Sequence, residues 1–360
     1  MVSCEGLGRG GVQAVMMNIV RNLNDVCSFD MLLFTNEKRY YDDEFLSYGG
    51  EIFRIPNYNG ICKFKRRLDY YVRGGKLYRN ILKLLKDNRK YDVIHCNNSF
   101  ESALCLKAAA KVKIPIRVVH AHTCSTYSNV LQKHLHKIYQ RMILKYSTQM
   151  ISCTDEAGTA LFGKGQNYKT VYNPYDDSRF CYDLYKDDKT ENKFNITQIG
   201  MYGVNKNQLF SLDVLNEIRR LGIDASLNFV GFGDYQEVIQ NKINKLGLND
   251  FVKMYPADAN TPKLLSETAF FLFPSLLEGF GIALIEAQAM GVKCYASDSV
   301  PKSTNVGGCI YLSLSKGAEY WAREMISDWN LNRGKHNLYN CKDFSQKIFS
   351  SKIFELYGGK

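Results

Sequence analysis

Much that would mark a simpler function is missing from this sequence. Its eleven cysteines are scattered, odd in number and never form a C-x-x-C pair, so neither a disulfide framework nor a zinc knuckle is indicated. Reduced thiols in a cytosolic protein fit that usage. No apolar run approaches the roughly 18 residues that a membrane span needs, and the Met1–Gly11 opening lacks the basic-then-apolar order of a signal peptide. Internal repeats and low-complexity tracts are absent, and no zinc-finger, RNA-binding aromatic or basic-zipper pattern is present to make a nucleic-acid binder.

What is present has the bulk of a globular protein. At 360 residues the chain is too long for one ordinary core, so two α/β domains of roughly 150 to 200 residues each are expected. Hydrophobic residues at 45% and charged residues at 23% exclude a fibrous or disordered class. A formal net charge of +11 calls for an anionic partner: nucleic acid, an acidic membrane or a phosphorylated substrate. The excess concentrates in Gly60–Lys90, where lysines and arginines interleaved with Phe64, Leu68, Tyr70 and Tyr71 face only Asp69 and Asp87. Either an anionic membrane surface or plain solvent suits such a stretch.

Short β-rich runs alternate with helical-period stretches, the pattern of parallel sheets covered on both faces by helices. Strands are predicted at Tyr91–Cys96, Ile116–His120 and Gln149–Cys153, then at Asn195–Gly200, Ser226–Gly231, Phe251–Tyr255, Ala269–Phe273 and Val292–Ala296. Asn207–Leu221 and Ile282–Met290 are predicted helices between them. The pattern collapses into polar residues after Asn173, which predicts a first domain over 1–176, a linker over 177–192 and a second domain over 193–343. The apolar spacing of Phe344–Tyr357 predicts a helix within 344–360 that packs back on the first domain.

The most informative passage is Phe273-Pro274-Ser275-Leu276-Leu277-Glu278-Gly279-Phe280-Gly281-Ile282-Ala283-Leu284-Ile285-Glu286-Ala287. A buried strand ends there and a glycine loop opens a helix, whose free N–H groups and positive dipole end suit a diphosphate. Glu278 and Glu286, before and inside that helix, are hydroxyl acceptors for a sugar and a ribose. An ordinary strand-loop-helix turn with surface glutamates is the plain alternative for the glycines and acids taken alone. The full string resembles the E-x7-E region of retaining glycosyltransferases with the GT-B fold, the large family numbered four, also called group 1.

The resemblance extends along nearly the whole chain. Gly10 and Gly11, in Gly8-Arg9-Gly10-Gly11-Val12-Gln13, resemble the family's first glycine loop, near donor phosphates and acceptor. His120-Ala121-His122-Thr123, Ile151-Ser152-Cys153-Thr154-Asp155-Glu156 and Val171-Tyr172-Asn173 resemble further landmarks. His122, at a strand's carboxyl end, matches the family's histidine that touches the transferred sugar. His120 is either its partner or a buried ring bonded to backbone, and His95 is read as structural. In Gly200-Met201-Tyr202-Gly203-Val204-Asn205-Lys206-Asn207-Gln208, Lys206 matches a phosphate-gripping lysine, whereas Met201 stands where an arginine is expected. Gly231 and Gly233 match a loop near the nucleotide. Pro256 replaces a glycine turn that contacts the base, and only Val2-Ser3-Cys4 remain of a first strand.

The resemblance implies two doubly wound Rossmann-like domains facing a cleft, and sugar transfer from a nucleotide-sugar, most commonly a UDP-sugar. The acceptor is expected to be lipid-linked or an oligosaccharide, at the cytoplasmic face of the membrane, in capsule or exopolysaccharide assembly. Catalysis is expected from His122 and Glu278, and donor contacts from Gly10, Gly11, Lys206, Gly231, Gly233, Glu278, Gly279, Phe280, Gly281, Ile282, Ala283 and Glu286. No D-x-D pair is present, so transfer without an obligatory metal or cofactor is expected, the nucleotide-sugar being a substrate. A non-catalytic partner subunit of the same fold, kept open by Met201, and a sugar-nucleotide epimerase are the alternatives.

Overall fold

The computed structural model of the chain describes residues 2–3, 6–55, 75–88, 91–97, 100–124, 130–185, 193–333 and 335–359. The strands form two sheets. The first holds β1 (Val2–Ser3), β2 (Met31–Leu33), β3 (Ile52–Arg54), β4 (Val93–Cys96), β5 (Ile116–Ala121), β6 (Gln149–Ser152) and β7 (Lys169–Thr170), in the order β3-β2-β1-β4-β5-β6-β7. The second holds β8 (Phe194–Ile199), β9 (Ala225–Val230), β10 (Val252–Tyr255), β11 (Phe270–Phe273), β12 (Lys293–Ser297) and β13 (Cys309–Leu312), in the order β10-β9-β8-β11-β12-β13. Their described pairings are parallel, as in Ile196↔Leu227 and Phe271↔Cys294. Each order reverses once, between β1 and β4 and between β8 and β11. The crevice outside the carboxyl ends at such a reversal is where open α/β sheets hold ligands.

The chain divides into two compact units, residues 1–174 with 346–360 and residues 175–345. In the first, the helix Gly11–Leu23 buries Val15, Met16, Ile19, Val20 and Leu23 along one face. The C-terminal helix Gln346–Leu356 packs on it and buries Phe349, Ile353 and Leu356. In the second unit Phe194, Phe270 and Trp329 meet at ring-centroid distances of 5.1 to 6.4 Å inside the larger apolar cluster. Each such ring contributes about 2 kcal/mol or more through area removed from water.

One sequence expectation needs revision. The polar stretch read as a linker over 177–192 is, as far as Tyr185, part of the second unit. Phe180 is buried in the cluster that includes Phe271, Phe273, Leu284 and Ala287, with Tyr175 and Tyr185 packed against it. Three aromatic anchors separated by aspartates and an arginine have neither a helical nor a strand period, which hid their packing; residues 186–192 lie outside the described residues. Of the Gly60–Lys90 stretch only residues 75–88 are described. There the helix Lys76–Asp87 buries Leu77, Ile81 and Leu85 and exposes Lys76, Arg79, Lys83 and Lys86. No described helix is long and apolar enough to cross a membrane.

Candidate functional site

In the second unit three strand ends are joined into one surface. β8 runs into a loop with a 3-10 turn at Val204–Lys206, β9 into Gly231–Gly233, and β11 into Pro274–Gly281. The first two loops touch backbone to backbone: a Cβ on Gly231 would stand 2.1 Å from the Gly200 carbonyl oxygen, so only glycine fits. The Tyr202 amide then donates to the Phe232 carbonyl at 2.7 Å. The first and third loops are joined by the Leu276 amide donating to Asn205 (2.8 Å) and by Asn207 Nδ2 donating to the Pro274 carbonyl (3.1 Å). Asn207 has φ +54°, the left-handed region that asparagine tolerates better than most residues.

That scaffold brings Lys206, after β8, to Glu278, after β11, across the order reversal of the sheet. Lys206 Nζ donates to Glu278 Oε1 at 2.5 Å and lies 4.8 Å from the centroid of the Phe273 ring. The side chains are 25% and 11% exposed, so this is a sheltered pair with one side open to a ligand. Gly281, at φ +99°, then starts the helix Ile282–Ala289, and Ile282 and Ala283 contribute its first-turn amides, which have no intrahelical partner. The result is a cation, a carboxylate and an anion-attracting helix end on one short stretch of sheet edge.

Glu286 lies on that helix, half-buried, and burial raises its carboxyl to about 7. Arg179 works against this rise and Asp176 with it. Arg179 belongs to the segment expected as linker and Asp176 to the end of the expected first domain, and the Phe180 anchor beside them is buried with Leu284 and Ala287 of the helix. Phe280, expected to touch a ligand, turns its ring inward against Phe344 at 5.9 Å and is 3% exposed, so a role there is left to its main chain. Gly233 and Gly279 sit in the β9 and β11 loops. Met201 is 58% exposed, and its carbonyl is held at 3.1 Å by Nε2 of the buried Gln208.

The first unit gathers different chemistry at its carboxyl edge. Gly10 caps the helix that Gly11 begins. His122 is buried after β5, and its Nε2 donates to Asn97 Oδ1 at 3.0 Å. Burial lowers it to about 3, the Asn173 side chain opposing weakly, so the ring is neutral at physiological pH. His120 stacks between His122 (3.8 Å) and His95 (5.5 Å), and His95 Nδ1 shares a 2.7 Å hydrogen bond with Tyr357. Burial and the neighbouring imidazoles hold His95 and His120 well below the usual range. Neither nitrogen of His120 has a hydrogen-bond partner among the described residues, where the alternative of a ring bonded to backbone is therefore not met. No three His, Cys, Asp or Glu side chains among the described residues stand where they would share a metal ion.

Sequence reasoning missed the residues that hold Lys206 in place. Gln198, on β8, donates through Nε2 to the Lys206 carbonyl at 2.7 Å, and Gln208 and Asn207 brace the two ends of the same loop. No local pattern marks Gln198, because Asn195 and Thr197 make the same strand half polar.

Comparison with known proteins finds family models and relatives along most of the chain. Residues 9–179 match the model for Glycosyltransferase Family 4, and residues 185–306 that for Glycosyl transferases group 1. EpsF of Bacillus subtilis (strain 168), described as a glycosyltransferase, is 27% identical over 333 residues, 88% of this chain and 84% of EpsF. CapH of Staphylococcus aureus, a capsular polysaccharide biosynthesis glycosyltransferase, is 28% identical over 78% of this chain and 76% of its own. The UDP-Gal:alpha-D-GlcNAc-diphosphoundecaprenol alpha-1,3-galactosyltransferase of Escherichia coli is 25% identical over 61% and 60%. Among solved structures, Anabaena HepE in complex with UDP and glucose superposes with a TM-score of 0.77 at 16% identity, over 100% of this chain and 99% of that one. That likeness establishes the architecture of two Rossmann-like domains.

Proposed function

The chain belongs to the group 1 glycosyltransferases of family four, and from that premise we propose that it moves a sugar, with retention at the anomeric carbon, from a UDP-sugar to a lipid-linked or oligosaccharide acceptor in cell-surface polysaccharide assembly. The observation that carries the reading is the Lys206–Glu278 pair beside the start of the helix Ile282–Ala289. UDP in the HepE complexes, the diphosphoundecaprenol acceptor of the E. coli relative and the capsular role of CapH support the choice of donor, acceptor and pathway class.

In this reading the bond from the anomeric carbon to the diphosphate breaks as the acceptor oxygen bonds to the same face. The acceptor proton passes to a donor phosphate oxygen, so no protein nucleophile is needed. Lys206 and the first-turn amides at Gly281, Ile282 and Ala283 neutralise the departing diphosphate, and Gly10, Gly11, Gly231, Gly233 and Gly279 let backbone approach it. Glu278 orients sugar hydroxyls, and His122 meets the sugar as a neutral ring. Glu286, raised to about 7, both donates to and accepts from the ribose diol. No metal or cofactor is required of the reaction. Gly60–Lys90 is proposed to rest on the anionic inner face of the membrane, its described helix carrying a basic outer face.

Thermal stabilisation by a panel of nucleoside diphosphates and their sugars tests the donor. Uridine diphosphates are expected to raise the melting temperature of wild type and to lose that effect in Lys206→Ala. The exposed Met201, where the family has a cation, favours a second reading, a non-catalytic partner subunit. No shift from any nucleotide would put that reading first.

A further inference from the structure

We propose that Gln198 is a positioning residue for sugar transfer: from inside the sheet it fixes the main chain of Lys206 and thereby sets where the ammonium group stands. This rests on the reading of Lys206 as the cation facing the donor diphosphate. Gln198 is 1% exposed in β8, a position where an apolar side chain would cost nothing to bury. Its amide is instead satisfied at both ends. Ser211 Oγ, also buried and on the helix Gln208–Arg220, donates to Gln198 Oε1 at 2.7 Å, and Gln198 Nε2 donates to the Lys206 carbonyl at 2.7 Å. The orientation is forced, because a backbone carbonyl only accepts.

Lys206 needs that anchor for a reason set by its own side chain. Its ammonium sits on a flexible four-carbon stem, and its head is held by Glu278. A diphosphate competes with Glu278 for the same ammonium, so the head is released when the donor arrives. What then keeps the lysine within reach is the position of its Cα. Asn207, in the left-handed region, ends the turn on one side and is tied to Pro274. Gln198 holds the carbonyl between. Without the amide, that carbonyl is left without its donor, the turn relaxes and the ammonium moves off the phosphates.

The test compares UDP with uridine, because the lysine acts on phosphate alone. In Gln198→Met, close in shape but without the amide, UDP affinity is expected to fall about fivefold while uridine affinity holds within about twofold. Combined with Lys206→Ala, Gln198→Met should add no further loss, since nothing remains to be positioned. If Gln198→Met does not fold, Ser211→Ala, which removes only the bond orienting the amide, should give a smaller loss with the same preference for UDP. A second measurement needs no nucleotide: the slowly exchanging 1H–15N signal of the ion-paired Lys206 ammonium should be present in wild type and broadened away in either variant. An unchanged UDP-to-uridine ratio, or an ammonium signal that persists in the variants, overturns the proposal. Wild type that binds no nucleoside diphosphate would sink the donor-site reading on its own, and the ammonium signal would still decide whether Gln198 places Lys206.

Discussion

At the carboxyl edge of its sheet the first unit buries three neutral imidazoles, whereas the second carries a sheltered ion pair beside a helix start. Both edges lie where a doubly wound sheet offers a crevice, yet their electrostatics differ in kind. The imidazoles His95, His120 and His122 are kept uncharged by burial, and His120 has no hydrogen bond among the described residues. Lys206 and Glu278 instead pair at 2.5 Å with part of each side chain open to solvent. The same topology thus provides a polar surface without charge in one unit and a grip for an anion in the other.

The contrast predicts opposite responses to pH. His122 titrates near 3 when folded and near its ordinary 6.5 when unfolded, so the unfolded chain binds more protons between those values. Stability of the first unit is therefore intact above about 6.5 and lost as pH falls towards 3. Glu286 is raised from 4.5 to about 7, so here the native state binds more protons. Its contribution to the second unit is intact below about 4.5 and lost as pH rises through 7.

The largest expected effect comes from removing the grip itself. Lys206→Ala should lower kcat/KM for sugar transfer by about a hundredfold, measured with labelled UDP-sugars, because it takes a cation from the leaving diphosphate and leaves Glu278 without its partner. Gly231→Ala forces a methyl group against the Gly200 carbonyl and should cost about 3 kcal/mol in the second unit. Denaturation followed by hydrogen exchange should show that loss on β8 and β9 and leave β4 and β5 unchanged. Acidification from pH 6.5 to 5 should cost the first unit about 2 kcal/mol through His122 alone, read from exchange rates on β5. Glu286→Gln should remove the decline of the second unit between pH 5 and 8, a gain of about 1 to 2 kcal/mol at pH 8, while weakening donor binding. A second unit whose stability still falls with pH in that variant would break the contrast. The smallest effect, about 1 kcal/mol, is expected for Tyr357→Phe, which removes the hydroxyl that His95 Nδ1 meets at 2.7 Å and leaves the second unit untouched.

Much of this was legible in the chain, and what was not has physical causes. Short β-rich runs alternating with helical-period stretches predicted β4, β5, β6, β8, β9, β10, β11 and β12 to within two residues of each end. β2, β3 and β7, of two or three residues each, carry too few residues to establish a period and went unassigned, as did β13. For the site, the loop after β11 and Lys206 stood out through their resemblance to a family. Their meeting depends on which strands are neighbours, which no local pattern states. The brace at Gln198 and the packing of Phe180 were likewise invisible, since each is a single residue whose partner lies far along the chain or in another element. Phe280 shows the reverse case: a residue inside a recognisable motif whose ring the fold buries against Phe344.

The helix Gln346–Leu356 and Tyr357, both packed into the first unit, carry a consequence for synthesis. A ribosome making this chain releases the helix Gly11–Leu23 early, but its helical partner and the hydrogen-bond partner of His95 arrive only after the whole of residues 175–345 has been made. Domains emerging from a ribosome generally fold in the order they appear. Here residues 175–345 can complete their sheet while the earlier residues still await their final pieces. The nascent chain should therefore acquire its nucleotide-gripping unit before its histidine-bearing one, and a premature stop before Gln346 would release the second unit finished and the first unfinished.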